Sequence, residues 1–160
     1  MVKKKSRALP ALFIGRFQPF HIGHLDVVKQ VLGRHQKIII GIGSAQYAGT
    51  AKNPFSSSVR AKMIRDALRR VKISVRKFTI VKIPDIHDDS RWVAHVEKLV
   101  PRFGAVWSGT PKVQKLFRKN KMHAVVSPKF NLAVSGTKIR RLMWQKKSWR
   151  HLVLNASLCK

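Results

Sequence analysis

The chain has 160 residues, which suffices for one domain with a sizeable core and is too short for two well-separated domains. It carries 34 Lys and Arg residues against 6 Asp and Glu residues, and the formal charge of +28 favours polyanionic partners such as RNA, ribosomes or phosphorylated ligands. No apolar stretch approaches the ~20 residues of a membrane span, and the single cysteine, Cys159, excludes an internal disulfide, so we expect a cytoplasmic protein without membrane contact.

Five short apolar runs alternate with helical patterns along the chain. The runs lie at 11–14, 37–43, 78–83, 104–108 and 123–127. Apolar residues spaced three or four apart predict helices through 25–32, 60–68, 92–100, 113–118 and 139–143. Residues 1–10 are expected to form a basic N-terminal tail, and 11–160 one domain that ends in a short helical segment at 149–158.

This alternation predicts an α/β fold with a parallel sheet of about five strands and helices on both faces, because parallel strands need crossover connections. Continuous apolar runs such as 37–43 indicate strands that are buried on both faces. In such sheets, ligands bind at the carboxyl ends of the strands, where the chain order reverses. The loops that follow the strands are therefore the places where a site is expected.

The first of these loops carries an unusual set of residues. After the run at 11–14 come Gly15, Arg16, His21, Gly23 and His24, and a helical pattern follows directly. A junction from strand to helix points backbone N–H groups and the positive end of the helix dipole into the loop. Two histidines, an arginine and two glycines at such a junction favour a phosphate chain as the ligand.

Six segments stand in order along the chain: GRFQPFHIGH at 15–24, GIGSAQ at 41–46, KNPF at 52–55, IPDI at 83–86, VPRF at 100–103 and VSGTKIRR at 134–141. Together they resemble the archaeal type of nicotinamide-nucleotide adenylyltransferase, which belongs to the nucleotidyltransferase superfamily with its HxGH motif. The resemblance implies a Rossmann-like nucleotidyltransferase fold. It also implies that nicotinamide mononucleotide (NMN) attacks the α-phosphate of ATP directly and in line, giving NAD and pyrophosphate with Mg²⁺.

Nucleotidyl transfer needs alignment and charge neutralisation more than covalent help from the protein. By the resemblance, His21 and His24 hydrogen-bond the ATP phosphates in the transition state, with Arg16 and Arg140 as further phosphate contacts. Arg60 is a secondary candidate, because a single arginine in so basic a chain is usually on the surface. No residue is assigned as a metal ligand.

A second phosphate contact is expected at the start of the last helix. Ser135 and Thr137 can cap that helix and still donate hydroxyl protons, while Gly23 and Gly136 allow close approach. The ring of Phe17 is expected to pack. The complete set assigned to ATP is Gly15, Phe17, Gly23, Gly109, Ser135, Gly136 and Thr137.

The acceptor is expected in the loop at 85–92. A cationic nicotinamide ring is stabilised by a nearby carboxylate and by the face of a tryptophan. By the resemblance, Asp85 and Trp92 take these roles, and Asp89 is a further hydrogen-bonding partner. Asp85, Asp88 and Asp89 are half of the 6 acids of the chain, although helix capping is a plain alternative for them.

Other functions stay open at this point. A related nucleotidyltransferase could use phosphopantetheine or flavin mononucleotide as its acceptor. A basic nucleic-acid-binding protein on a degenerate enzyme fold would explain the charge, although no nucleic-acid motif is recognisable. As partners we expect ATP and NMN, non-specific RNA association through the charge, and a second copy of the chain in a homo-oligomer.

Overall fold

A parallel sheet forms the centre of this computed structural model, which describes residues 8–154. Within them, the strands are β1 (Ala11–Gly15), β2 (Ile38–Ile42), β3 (Phe78–Lys82), β4 (Ala105–Trp107) and β5 (Ala124–Val126). Their order across the sheet is β3-β2-β1-β4-β5, and all four neighbouring pairs are parallel. The predicted fold class is confirmed.

Helices connect the strands and cover both faces. They are α1 (Ile22–Arg34), α2 (Ser57–Arg70), α3 (Asp89–Leu99), α4 (Pro111–Asn120) and α5 (Gly136–Trp144), with short 3-10 turns at Val75–Lys77 and Arg150–Leu152. Each predicted helix is present; α3 ends at Leu99, one residue before the predicted end, and the other four extend beyond the predicted ranges at both ends. The turn at Arg150–Leu152 lies inside the segment for which a helix was expected, whereas residues 155–160 and 1–7 lie outside the described part.

The apolar runs are continuous because the central strands contact two cores. In β1, Phe13 packs into the core beneath α1 and α2, and Leu12 and Ile14 pack into the core beneath α3 and α4. In β2, Ile40 packs into the core beneath α1 and α2, and Ile39 packs into the core beneath α3 and α4. A strand with one polar face would alternate instead, so burial on both faces explains the pattern.

The chain order reverses between β1 and β4. β2 and β3 are added on one side of β1, after which α3 returns the chain to β4 on the other side. The loops that leave β1 and β4 therefore diverge and open a crevice at the carboxyl ends of these strands. Among the described residues, none of the helices has the length and apolar character that crossing a membrane requires.

Candidate active site

One cleft lies at the carboxyl ends of the strands and has two halves. The first half, about 370 Å³, is lined by the β1 loop, the histidines and the start of α5. The second half, about 290 Å³, is lined by the loop after β3 and by the starts of α3 and α4. Arg16 and Thr110 line both halves, so the two form one continuous cleft.

The two histidines form the N-terminal cap of α1. Nδ1 of His21 accepts hydrogen bonds from the backbone N–H groups of Gly23 (3.1 Å) and His24 (3.3 Å). In return, Nδ1 of His24 accepts from the backbone N–H of His21 (3.2 Å). This is a capping box in which imidazoles replace the usual Ser or Thr and Glu. The rings stack with their centroids 3.6 Å apart.

The cap also fixes the protonation of both rings. Because each Nδ1 accepts a hydrogen bond, we assign the proton of each neutral imidazole to Nε2. Burial lowers the pKa of His21 to about 4, and burial together with the neighbouring His21 holds the pKa of His24 well below its ordinary value. Both histidines are therefore neutral at pH 7, and each has one Nε2–H group to donate.

Two phenylalanine rings pack against His24, the second histidine of this pair. The ring of Phe17 meets His24 edge-on with centroids 4.8 Å apart, and Phe20 stacks on His24 at 5.4 Å. Phe17 is only 1% exposed and its ring packs against the backbone of Gly15. Its side chain therefore packs as expected, and its predicted contact with ATP stays a prediction that only its backbone could fulfil.

Arg140 joins α5 to the β1 loop. Its Nη1 donates to the carbonyl of Gln18 (2.8 Å) and its Nη2 to Oγ1 of Thr137 (3.2 Å), while Ser135 caps α5 by accepting from the backbone N–H of Lys138 (3.1 Å). Burial and the charge of Arg16 lower the pKa of Arg140. Two guanidinium groups thus lie close together in a half-cleft whose described lining residues include no carboxylate, which favours an anionic ligand.

The glycines of this half are required for packing. A Cβ on Gly23 would lie 2.9 Å from Val134, one on Gly136 would lie 3.2 Å from the carbonyl of Gln18, and one on Gly109 would lie 2.3 Å from the ring of Phe130. Protein atoms thus occupy the space in which the sequence analysis expected the nucleotide. Contacts of these glycines with ATP stay predictions.

Arg60 has a different role from the predicted one. Its side chain is 0% exposed, and it donates from Nη1 to the carbonyl of Arg16 (2.7 Å), from Nη1 to Gly43 (2.9 Å) and from Nη2 to Ser44 (3.2 Å). Burial and the charge of Arg16 lower its pKa to about 10, so it stays charged at pH 7. The surface position expected for this arginine is wrong, because the guanidinium binds backbone oxygens in the interior, and its candidate contact with phosphate stays a prediction.

The second half of the cleft is built around Asp85. Its carboxylate accepts a hydrogen bond from the hydroxyl of Ser44 (2.7 Å). The side chain of Gln46 accepts from its N–H (2.9 Å) and donates to its carbonyl (3.0 Å). The loop after β2 therefore holds the loop after β3 in place and keeps the carboxylate in the cleft.

The other predicted residues of this half lie close by. Asp88 caps α3 by accepting from Ser90, which lowers its pKa, so the capping alternative is correct for Asp88. Asp89 forms an exposed ion pair with Lys112 at 2.8 Å. Trp92 is half-buried and packs edge-on against Phe117 at 5.8 Å. Asp85, Asp89 and Trp92 all line this half, as the sequence analysis expected.

Known proteins match this chain over most of its length. Residues 12–142 match the cytidylyltransferase-like family. The nicotinamide-nucleotide adenylyltransferase of Thermococcus sibiricus is 43% identical over 143 residues, which are 89% of this chain and 77% of that protein. The enzyme of the same name from Thermoplasma volcanium is 43% identical over 144 residues, which are 89% and 80%. This chain belongs to the nicotinamide-nucleotide adenylyltransferase family.

The fold comparison agrees with the family. A bifunctional NMN adenylyltransferase/ADP ribose pyrophosphatase from Francisella tularensis, solved with AMP and a manganese ion, superposes with a TM-score of 0.76 at 25% identity. The match covers 91% of this chain and 44% of that one, so this chain spans less than half of the Francisella protein. The fold shared with this NMN adenylyltransferase therefore extends over most of the chain.

Sequence reasoning missed Phe130 as a residue of the phosphate half. Its ring is 64% exposed, yet it lies against Gly109. The side chain of Gln30 donates to the backbone carbonyl of Lys129 and accepts from its N–H, and the side chain of Asn131 donates to Asp26. A lone phenylalanine among loop residues carries no periodic signal, so only these distant contacts reveal a ring that is held at the rim of the cleft.

Replacing Arg60 by methionine is expected to lower the free energy of unfolding by about 3 kcal/mol or more, because three backbone carbonyls in two loops lose their donor at a cost of roughly 1–3 kcal/mol each. Arg65→Met is the matched control, since Arg65 is exposed on the same helix. Urea unfolding of both variants measures the difference. Equal stabilities would show that the buried guanidinium does not hold the loops.

Acid is expected to destabilise the fold through His21. Its pKa is about 4 in the folded protein and 6.5 in the unfolded chain, so the unfolded chain binds more protons between these values, and stability is lost as the pH falls from 6.5 to 4. The contribution is about 3 kcal/mol. His21→Asn keeps a capping oxygen without titrating there, so its stability should fall less than that of the wild type. Parallel pH profiles from urea unfolding would contradict this assignment.

Proposed function

We propose that this chain transfers the adenylyl group of ATP to NMN and forms NAD and pyrophosphate. The observation that carries the proposal is the division of one cleft into a cationic half and an acidic half, with Arg16 lining both. Polyphosphate needs positive charge, whereas a nicotinamide ring is a cation. The family of the chain supports this activity, because its relatives carry the name of this enzyme.

The cationic half is proposed to bind ATP. Arg16 and Arg140 supply charge to the phosphates, and the Nε2–H groups of His21 and His24 supply neutral donors. The hydroxyls of Ser135 and Thr137 lie at the start of α5, where the helix dipole also favours an anion. The exposed ring of Phe130 at the rim offers a surface on which the adenine can stack.

The acidic half is proposed to bind NMN. Asp85 provides negative charge, Trp92 provides an aromatic surface for the nicotinamide cation, and Asp89, paired with Lys112, provides a further hydrogen-bonding partner. Phosphopantetheine and flavin mononucleotide carry no such permanent cation, so these three residues favour NMN over the other acceptors. With NMN in this half, its phosphate points towards Arg16 at the junction with the ATP half.

The reaction then needs no protein nucleophile. An oxygen of the NMN phosphate attacks the α-phosphorus of ATP, a new P–O bond forms, and the bond to the β-phosphate oxygen breaks as pyrophosphate leaves. The attacking phosphate is already an anion at pH 7, so a general base is not required. The arginines and neutral histidines act by aligning the groups and stabilising charge on the phosphate oxygens.

Mg²⁺ is proposed to enter as part of the substrate, bound to ATP. Mg²⁺ is commonly held by substrate phosphates together with few protein oxygens. In the described part of the chain, no group of three His, Cys, Asp or Glu residues could hold a metal ion, and arginines line the phosphate half. The homo-oligomer, the cytoplasmic location and the division into a tail (1–10) and one domain (11–160) stay predictions.

Replacing His24 by alanine is expected to lower kcat for NAD synthesis by about 10²- to 10³-fold, the usual effect of losing one donor in a transition state. The assay contains purified protein, ATP, Mg²⁺ and NMN. His151→Ala is the matched control, because His151 is exposed outside the cleft. Circular dichroism confirms that both variants fold. Wild-type protein that makes no NAD above background would overturn the proposed function.

Trp92→Leu is expected to raise the KM for NMN by about 2- to 30-fold, because cation–π attraction contributes roughly 0.5–2 kcal/mol and leucine keeps only the apolar bulk. The KM for ATP should stay unchanged, since Trp92 lines the acceptor half alone. Steady-state kinetics with each substrate varied in turn measures both constants. Equal rises in the two KM values would contradict the assignment of this half to NMN.

A further inference from the structure

A second group of grooves lies at the opposite edge of the sheet from the active site. These grooves are formed by the segments that precede the strands: the end of α2, the 3-10 turn before β3, and the residues before β1, β2 and β4. The catalytic cleft is built from the loops that follow the strands. A ligand bound in these grooves would therefore leave the catalytic cleft open.

The grooves are continuous and basic. The groove beside α1 contains Lys29, Lys72 and Lys77, and it shares Lys72 with the groove beside α2, to which Arg65 and Arg69 also belong. A third groove shares Val75 and Phe78 with the second and adds Lys37, Arg76 and Arg102. We call this set of three grooves the basic face. All eight of these cations are exposed.

Acidic residues do not neutralise the basic face. None of the described residues that line its grooves is acidic. Of the 6 acids of the chain, Asp85, Asp88 and Asp89 lie in the acceptor half of the cleft, Glu97 pairs with His123 at 2.7 Å, and Asp26 accepts hydrogen bonds from Gln30 and Asn131. The sixth acid, Asp66, pairs with Lys62 and approaches Arg69 within 3.7 Å, so Arg69 of the basic face has a carboxylate nearby.

Apolar groups lie between these cations. Val75 is 74% exposed, and Ile73, Phe78 and Ile80 are half-buried in the same grooves. Cations that follow a backbone, together with apolar and aromatic surface for bases, are what proteins use to bind single-stranded nucleic acids. The hydroxyls of Ser74 and Thr79 lie on this face and can bond the 2′-hydroxyl that distinguishes RNA from DNA.

The shape of the surface argues against a membrane as the partner. A bilayer is flat and contacts residues that protrude, whereas these cations line concave grooves that join end to end. A flexible polyanion can follow such a path and contact all three grooves. We propose that the basic face binds single-stranded RNA, independently of the nucleotide in the active-site cleft.

Two quadruple variants test this inference at equal change of net charge. The groove variant carries Lys29→Gln, Lys72→Gln, Arg76→Gln and Lys77→Gln. The control variant carries four changes at exposed positions in and after α4: Lys115→Gln, Arg118→Gln, Lys119→Gln and Lys121→Gln. Each set includes one lysine with a left-handed backbone, Lys72 at φ 59° and Lys121 at φ 60°, so the backbone context is matched as well.

Binding of a fluorescent 20-nucleotide single-stranded RNA is measured by anisotropy across a salt series. We expect the groove variant to bind at least tenfold more weakly than the wild type at 100 mM salt. Its slope of log K against log salt should be smaller by about 3, because each phosphate contact to a single strand contributes roughly 0.7. The control variant should keep affinity within about threefold of the wild type, and thermal melting checks that both variants fold.

Measurements with ATP, with DNA and with lipid vesicles, together with the NAD synthesis assay, decide the outcome. Saturating ATP should leave RNA binding unchanged, and both variants should retain the NAD synthesis rate of the wild type, because the basic face is separate from the cleft. Equal losses of RNA affinity in the two variants, or release of RNA by ATP, would overturn the proposal. Equal affinity for DNA of the same sequence, or tighter binding to phosphatidylserine vesicles, would overturn the choice of RNA.

Discussion

The buried guanidinium of Arg60 holds the two halves of the cleft at a fixed distance. It binds backbone oxygens of the β1 loop, which carries Arg16, and of the β2 loop, where Ser44 bonds Asp85. A planar group with five donors in fixed directions can connect several carbonyls at once, which an ammonium cannot do in the same geometry. The positions of Arg16 and Asp85 therefore depend on one interior side chain.

The cationic half and the acidic half of the cleft lie side by side, and Asp89 forms its ion pair with Lys112 inside the acidic half. In the described part of the chain, no ion pair joins Arg16 or Arg140 to the aspartates of the acceptor half. Each half thus remains available to a ligand of opposite charge. Neutral histidines complement this arrangement, because they offer N–H donors to the cationic half without adding cations that would repel Arg16 and Arg140.

The distribution of the few acids also organises the rest of the surface. Half of them lie in one half of the cleft, so the opposite edge of the sheet is left strongly basic. The charge of +28 describes the chain as a whole and says nothing about where that charge is concentrated. Folding decides this, because the segments that precede four different strands come together at one edge.

The sequence by itself determined the strands, the helix starts and the family. Apolar runs without alternation indicated central strands buried on both faces, Ser135 marked the cap of α5, and the motif residues at 15–24 and 134–141 predicted the phosphate half. Only the tertiary structure decided that Arg60 is interior and that Phe130 lies at Gly109. The physical reason is the separation of the interacting residues along the chain. Periodicity and capping act within a few residues, whereas these contacts depend on the order of strands in the sheet and on loops far apart in the chain.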